Sequence, residues 1–205
     1  MTSPHRWQPD TLERRRQVVV AGHLGDTSVV QQALTDTEGV VLASVLAAWE
    51  RAGRLDAATL TAFFSDDDPE VRRRAAELAA RHPDVNLMPV LDDLDPLVVE
   101  MAAWACGEHE NVPDEVLFRL IHLAGHHDDA LVREAAVAAL GAIGDERGLP
   151  AILTGCGDKP AVRRRAVLAL APFDGPEVDA ALERALTDRD WQVRQAAEDL
   201  TSTER

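Results

Sequence analysis

Tyrosine is absent from the 205 residues, lysine occurs once, as Lys159, and cysteine twice, as Cys106 and Cys156. Two cysteines cannot form a disulfide framework, so a reducing, cytoplasmic setting is expected. Aromatic residues make up 4% of the chain, too few for strands, which favour aromatic and β-branched side chains. The longest apolar run, Val40 to Trp49, spans ten residues and contains Ser44. A membrane-spanning helix needs about 20, so no membrane partner is expected. The opening MTSPHRWQPD has no apolar core, and no signal peptide is expected there. Positive charge is also short: 21 Lys and Arg face 36 Asp and Glu, a net of −15. Such a field repels a phosphate backbone, so general nucleic-acid binding is not expected. What is plentiful is alanine, leucine and valine, within a hydrophobic share of 46%. Alanine and leucine favour helices, and an all-α fold follows.

The chain repeats itself. DDPEVRRRAAELAA (67–80) returns in altered form as LDPLVVEMAAWACG (94–107), DDALVREAAVAALGAIGDE (128–146), DKPAVRRRAVLALA (158–171) and DRDWQVRQAAEDL (188–200). Weaker copies begin near residues 11 and 36. Anchoring on Val41, Val71, Val98, Val132, Val162 and Val193 gives intervals of 30, 27, 34, 30 and 31 residues. A period near 30 marks stacked supersecondary units, none of which buries its apolar face alone. Pro69, Pro96 and Pro160 precede their valines by two residues, where a first helical turn tolerates proline. Asp68, Asp95, Asp129 and Asp190 stand three residues before theirs, placed to accept an orphan N–H and to meet the positive end of the helix dipole. After the valine, apolar residues follow helical spacing, as in Val132, Ala135, Ala136, Ala139, Leu140 and Ile143. A second, plainer amphipathic helix completes each unit. The expected fold is an all-α solenoid (a superhelix) of about six helix-turn-helix repeats plus a terminal helix. Its bounds are a flexible segment 1–9, one array over 10–201 and a flexible tail 202–205.

The element D-x-x-V-R-x-x-A-A-x-A-L-G-x-x-G-D, nearly complete from Asp129 to Asp145, resembles the HEAT-repeat superfamily, specifically its short PBS-lyase-like branch. The resemblance covers roughly residues 11–200. It implies an armadillo-like array whose second-helix row lines a concave face that commonly binds protein partners. It does not carry an enzyme's site across. HEAT-like deoxyhypusine hydroxylases hold iron through paired His-Glu motifs just before the Ala-Ala of the first helix. Here His109-Glu110 falls after that helix and occurs once, and the matching position of the best repeat reads Arg133-Glu134. No bilin-lyase residue is present to transfer, and the acidic balance argues against the basic groove of HEAT-like DNA glycosylases.

Arg72, Arg133, Arg163 and Arg194 follow their anchor valines. With an aspartate about four residues earlier, they are expected to form a ladder of ion pairs between successive units. The arginine triplets 14–16, 72–74 and 163–165 fan over roughly 200° of helix and cannot share one small ligand, so solvated faces are expected for them. Leu42 and Val99 replace the arginine in two units. The second departure lies in an unusual stretch: between Asp84 and Asp129 eleven acids face one arginine, Arg119, which accounts for −10 of the −15. GEHENVPDE lengthens a turn here, and Trp104 stands where the pattern often carries a polar residue. Tryptophan is enriched at binding hot spots, and acids steer basic partners. Asp92, Asp93, Trp104, Glu108, Glu110, Asp114 and Glu115 are therefore the candidate partner-binding residues. The plainer reading is a solvated acidic edge with Trp104 buried.

Chemistry is sparse. His122 and His126 share a helical face and with Asp128 or Asp129 have the makings of a metal site. Histidine at a helix C-terminus is also favoured by the dipole alone. Cys106 and Cys156 lie among small or apolar residues and read as inert thiols. No nucleophile has a recognisable set of neighbours, and GCGDKP lacks phosphate-loop spacing. No catalytic residue, cofactor or metal is assigned. The expected role is a non-enzymatic scaffold or adaptor, monomeric when free, that binds a basic protein segment on its concave or acidic face. The competing role is a HEAT-like lyase or a metal-dependent hydroxylase.

Overall fold

A computed structural model describes residues 9–203. Of the segments expected to be flexible, 1–8 and 204–205 lie outside the described residues. Among the described residues every regular element is helical, with thirteen α-helices and two short 3-10 turns. In chain order they are six pairs and a last single helix, the organisation that the repeats predict. The chain forms two compact units, Met1–Val85 and Asn86–Arg205.

The first unit contains α1 (Pro9–Leu24), α2 (Thr27–Gln32), α3 (Gly39–Arg51), α4 (Ala57–Phe63) and α5 (Pro69–Ala79). Its core gathers Val18, Ala21, Val30, Val40, Val41, Val45 and Ala48, with Trp49 partly buried against them. The second unit contains α6 (Met88–Leu91), α7 (Pro96–Gly107), α8 (Asp114–His126), α9 (Ala130–Ile143), α10 (Leu149–Gly155), α11 (Pro160–Ala169), α12 (Pro176–Ala185) and α13 (Trp191–Thr203). The second helix expected to complete the repeat that begins at 67 is only the single turn of α6. Leu87, Val90 and Leu91 of this stretch are buried all the same.

All six anchor valines are at most 1% exposed, so the repeat register read from the sequence is the register of the core. The caps also form as the sequence predicts. Asp68, Asp95, Asp129 and Asp190 each accept, at 2.9 Å, the backbone N–H two residues on. Such a cap contributes about 1 kcal/mol. Lys159, which breaks the pattern, makes no side-chain cap. Helix α9 ends where Gly144 turns left-handed, at φ 69°, a conformation glycine takes without steric cost. Gly141 has a different duty: a Cβ there would lie 2.5 Å from Cβ and 2.6 Å from Cα of Ala169 on α11. Small residues thus set how closely consecutive first helices approach.

The arginine ladder exists, but its rungs are not those expected. The aspartate four residues earlier is occupied as a cap. Each bridging arginine instead reaches an aspartate 25 residues ahead, in the next repeat. Arg133 grips Asp158 through Nε and Nη2 at 2.6 and 2.9 Å, and Arg163 grips Asp188 at 2.9 and 2.9 Å. Nη1 of the same arginines donates to backbone carbonyls of the preceding turn, those of His127 and Asp158 respectively. Asp188 also accepts the N–H of Asp190 at 2.8 Å. Its carboxyl, held by Arg163, titrates below the ordinary range, as does that of Asp158, held by Arg133. In the first unit Arg14 and Asp36 form a comparable pair, with Nε and Oδ2 at 2.8 Å. The triplets are accordingly not mere solvated faces. Arg72 donates to the carbonyl of Asp66, Arg73 pairs with Glu70 and Arg74 with Glu77. Arg163 is buried, at 6% exposure. Their fan over the helix is what sends each to a different partner.

Candidate partner-binding surface

The seven candidate residues all belong to the second unit, and the structure sorts them into two places. Asp92 caps the end of α6 and is exposed. Its Oδ1 stands 2.7 Å from Nε of Arg119 on α8, an ion pair in contact whose N–H is not aligned as a hydrogen bond. Asp93 is partly covered, and its Oδ1 accepts the N–H of Asp95 at 2.9 Å, so it holds the turn into α7. Glu110 lies exposed in the six-residue turn between α7 and α8, and Glu115 is exposed in the first turn of α8. Asp114, also exposed, accepts from Nη1 of Arg147 at 3.0 Å. Arg147 in turn lies over the ring of Phe118 on α8, 5.6 Å from its centroid. That ring, 55% exposed, passed unnoticed in the sequence because it sits on the plainer second helix.

Trp104 is elsewhere, on α7, and Glu108 caps the end of that helix. Trp104 is 43% exposed, so it is neither a core residue nor a fully solvated one. The two residues border a groove of about 350 Å³ between α7 and α9, with Arg165 of α11 at its edge. Its floor is small: Gly107, Ala135, Ala138, Ala139 and Ala142. Three carboxylates, Glu100, Glu108 and Glu134, face one guanidinium, Arg165, whose Nε is 3.7 Å from Oε1 of Glu134. Leu131, 37% exposed, adds an apolar side chain to the lining. Sequence reasoning missed Glu100, Leu131, Glu134 and Arg165. A signal was available: Glu100 and Glu134 both stand two residues after their anchor valines, and Trp104 and Ala138 both stand six after. Reading the same register across repeats would have assembled the row.

The other chemistry does not converge. His122 and His126 stack their rings 4.9 Å apart. Nδ1 of His122 faces Nη1 of Arg119 at 3.3 Å, and Nδ1 of His126 is 3.2 Å from the carbonyl oxygen of His122. Among the described residues no three His, Cys, Asp or Glu side chains are grouped closely enough to hold a metal ion. Burial pushes the Cys106 thiol up to about 12 and the Cys156 thiol up to about 11, away from the thiolate a nucleophile requires. Among the described residues no helix is long and apolar enough to cross a membrane.

The sequence signature of HEAT repeats matches residues 85–161 and 119–200, which together make up more than half of the chain. No curated protein matches by sequence. Among solved structures, the Escherichia coli protein YibA is similar, with a TM-score of 0.66 at 18% identity, over 98% of this chain and 77% of that one. An engineered protein superposes with a TM-score of 0.55 at 22% identity, over 86% and 97%. A designed armadillo repeat protein, solved with the peptide (KR)4, gives 0.54 at 16% identity, over 94% and 98%. At these identities the likeness is one of fold.

Proposed function

Since the chain belongs to the HEAT-repeat family, its fold class being an α-solenoid of such repeats, we propose that it is a non-catalytic interaction scaffold that captures a basic protein segment on the acidic surface of its second unit. One observation carries this reading: a half-exposed tryptophan stands over a groove of alanines where three carboxylates outnumber one arginine. A cationic side chain laid in that groove meets the negative face of the indole and the carboxylate rim together. Residues 86–205 hold eleven Lys and Arg against twenty-three acids, a net of −12, so the surrounding field draws a basic segment in. Glu110, Asp114 and Glu115 lie exposed beyond the groove and extend that field. The designed armadillo protein bound to (KR)4 is a precedent for an α-repeat scaffold holding alternating lysine and arginine. Residues 10–201 act in this reading as one repeat array, monomeric when free. The cytoplasm is its setting, in keeping with two unpaired cysteines.

The test is a titration of a fluorescent (Lys-Arg)4 peptide followed by anisotropy at low salt. The protein binds, and Trp104→Ala together with Glu108→Lys weakens binding about tenfold or more. Asp93 is left intact, because its carboxylate holds the turn into α7. Circular dichroism checks that helicity is unchanged. A wild-type protein that ignores the peptide would dismiss the reading.

A further inference from the structure

The first unit carries a groove of its own, about 330 Å³, between α1, α3 and α5. Small side chains such as Ala43 and Ala47 of α3 form its floor. Four arginines line it, Arg15 from α1, Arg51 from the end of α3, and Arg73 and Arg74 from α5, against one carboxylate, Glu70. In a chain of net charge −15 such a concentration of guanidinium groups is anomalous. The arginines that share the groove come from three helices, not from one triplet. The wider unit does not oppose an anion strongly: residues 1–85 hold ten arginines and thirteen acids, a net of −3.

Two features define what fits. Arg73 and Arg74 already hold carboxylates of their own helix, Glu70 at 2.9 Å and Glu77 at 2.6 Å. Part-exposed pairs of this kind exchange partners at little cost. Arg15 and Arg51 are exposed and, among the described residues, make no ion pair. Their positions are also spread out. Nη2 of Arg51 lies 2.9 Å from where a Cβ on Gly22 would stand, seven residues along α1 from Arg15. Seven residues of helix rise roughly 10 Å. A single phosphate is too small to bridge that distance. Carboxylates three residues apart on an extended polyproline-II chain, which has three residues per turn and rises about 3.1 Å per residue, share a face and match it.

We propose that this groove binds an extended, carboxylate-rich segment of a partner protein, an interaction separate from capture of a basic segment by the second unit. Octaglutamate is the probe, labelled and titrated at low salt by anisotropy. Wild-type protein binds it. Arg15→Gln/Arg51→Gln weakens binding about tenfold, whereas Arg164→Gln in the second unit leaves it unchanged. Inorganic phosphate does not compete at concentrations well above that of the peptide. Either single variant, Arg15→Gln or Arg51→Gln, gives a partial loss and keeps the test decisive should the double variant lose helicity. Absence of binding, equal binding by the variants, or displacement by phosphate at peptide-like concentrations would overturn the proposal. So would salt-sensitive self-association of the wild type that the double variant abolishes, since a second copy would then be the occupant. None of these results bears on the (Lys-Arg)4 experiment, which reads the other unit.

Discussion

The two units carry grooves of nearly equal size, about 330 and 350 Å³, at corresponding register positions of their first helices. Position two after the anchor valine is Ala43 or Arg73 in one and Glu100 or Glu134 in the other. Position six is Ala47 in one groove and Trp104 or Ala138 in the other. Same backbone, same alanine floor, opposite charge: one groove presents four arginines and the other three glutamates with an indole. The difference teaches that a repeat has two registers under different constraints. Buried positions answer to packing and recur, as the anchor valines do. Outward positions meet only other surface side chains and are freer to differ, so they are where a binding preference is written.

The comparison can be broken most decisively at the rungs. Arg163 and Asp188 are only 8% and 16% exposed at their side chains. Arg163→Ala leaves a covered carboxylate without its partner and lowers stability by about 3 kcal/mol in urea unfolding. The equivalent change in the first unit is milder. Arg14 is 35% exposed, and Arg14→Ala costs about 1 kcal/mol or less. Equal losses would show that the rungs of the two units do the same work.

Next in size is the close approach of α9 to α11. Gly141→Ala drives a methyl group into Ala169 and costs about 2 kcal/mol by overpacking, read from the same unfolding curves. Groove variants such as Glu108→Gln, by contrast, stay within about 0.5 kcal/mol of wild type, as surface changes do. The smallest effect is one of pH. Asp158 and Asp188 have folded-state values depressed below the ordinary 3.8 by their arginines. Their stabilisation is therefore complete above that value and is lost as pH falls through the lower folded ones. Melting temperature measured from pH 5 downward drops below about pH 4, and Asp158→Asn flattens part of that drop.

The repeats, their register and their caps were legible because each rests on local physics: a proline at the first turn, an aspartate beside it, apolar residues at helical spacing. The ladder was half legible. Arg133 and Arg163 were recognised as bridging residues, but the partner was sought four residues back, where Asp129 caps its helix. The aspartate actually used lies in the next repeat, and sequence distance gave no hint that 25 residues bring it alongside. The candidate surface was legible as a composition and not as a place. Asp92, Glu110, Asp114 and Glu115 share only their charge in the sequence; in the structure Asp114 and Glu115 open α8, Glu110 lies in the turn before it, and Asp92 and Asp114 pair with Arg119 and Arg147. Trp104 on α7 and Glu108 at its end share a groove with Glu100, Leu131, Glu134 and Arg165.

The sequence by itself determined the helices, their number and the face each one buries, because backbone propensity, capping and apolar periodicity act within a few residues of one another. Only the tertiary structure decided which charges meet. An ion pair or a groove wall is a matter of distances of a few ångströms between residues of different helices, and those distances exist only once helix has been laid against helix.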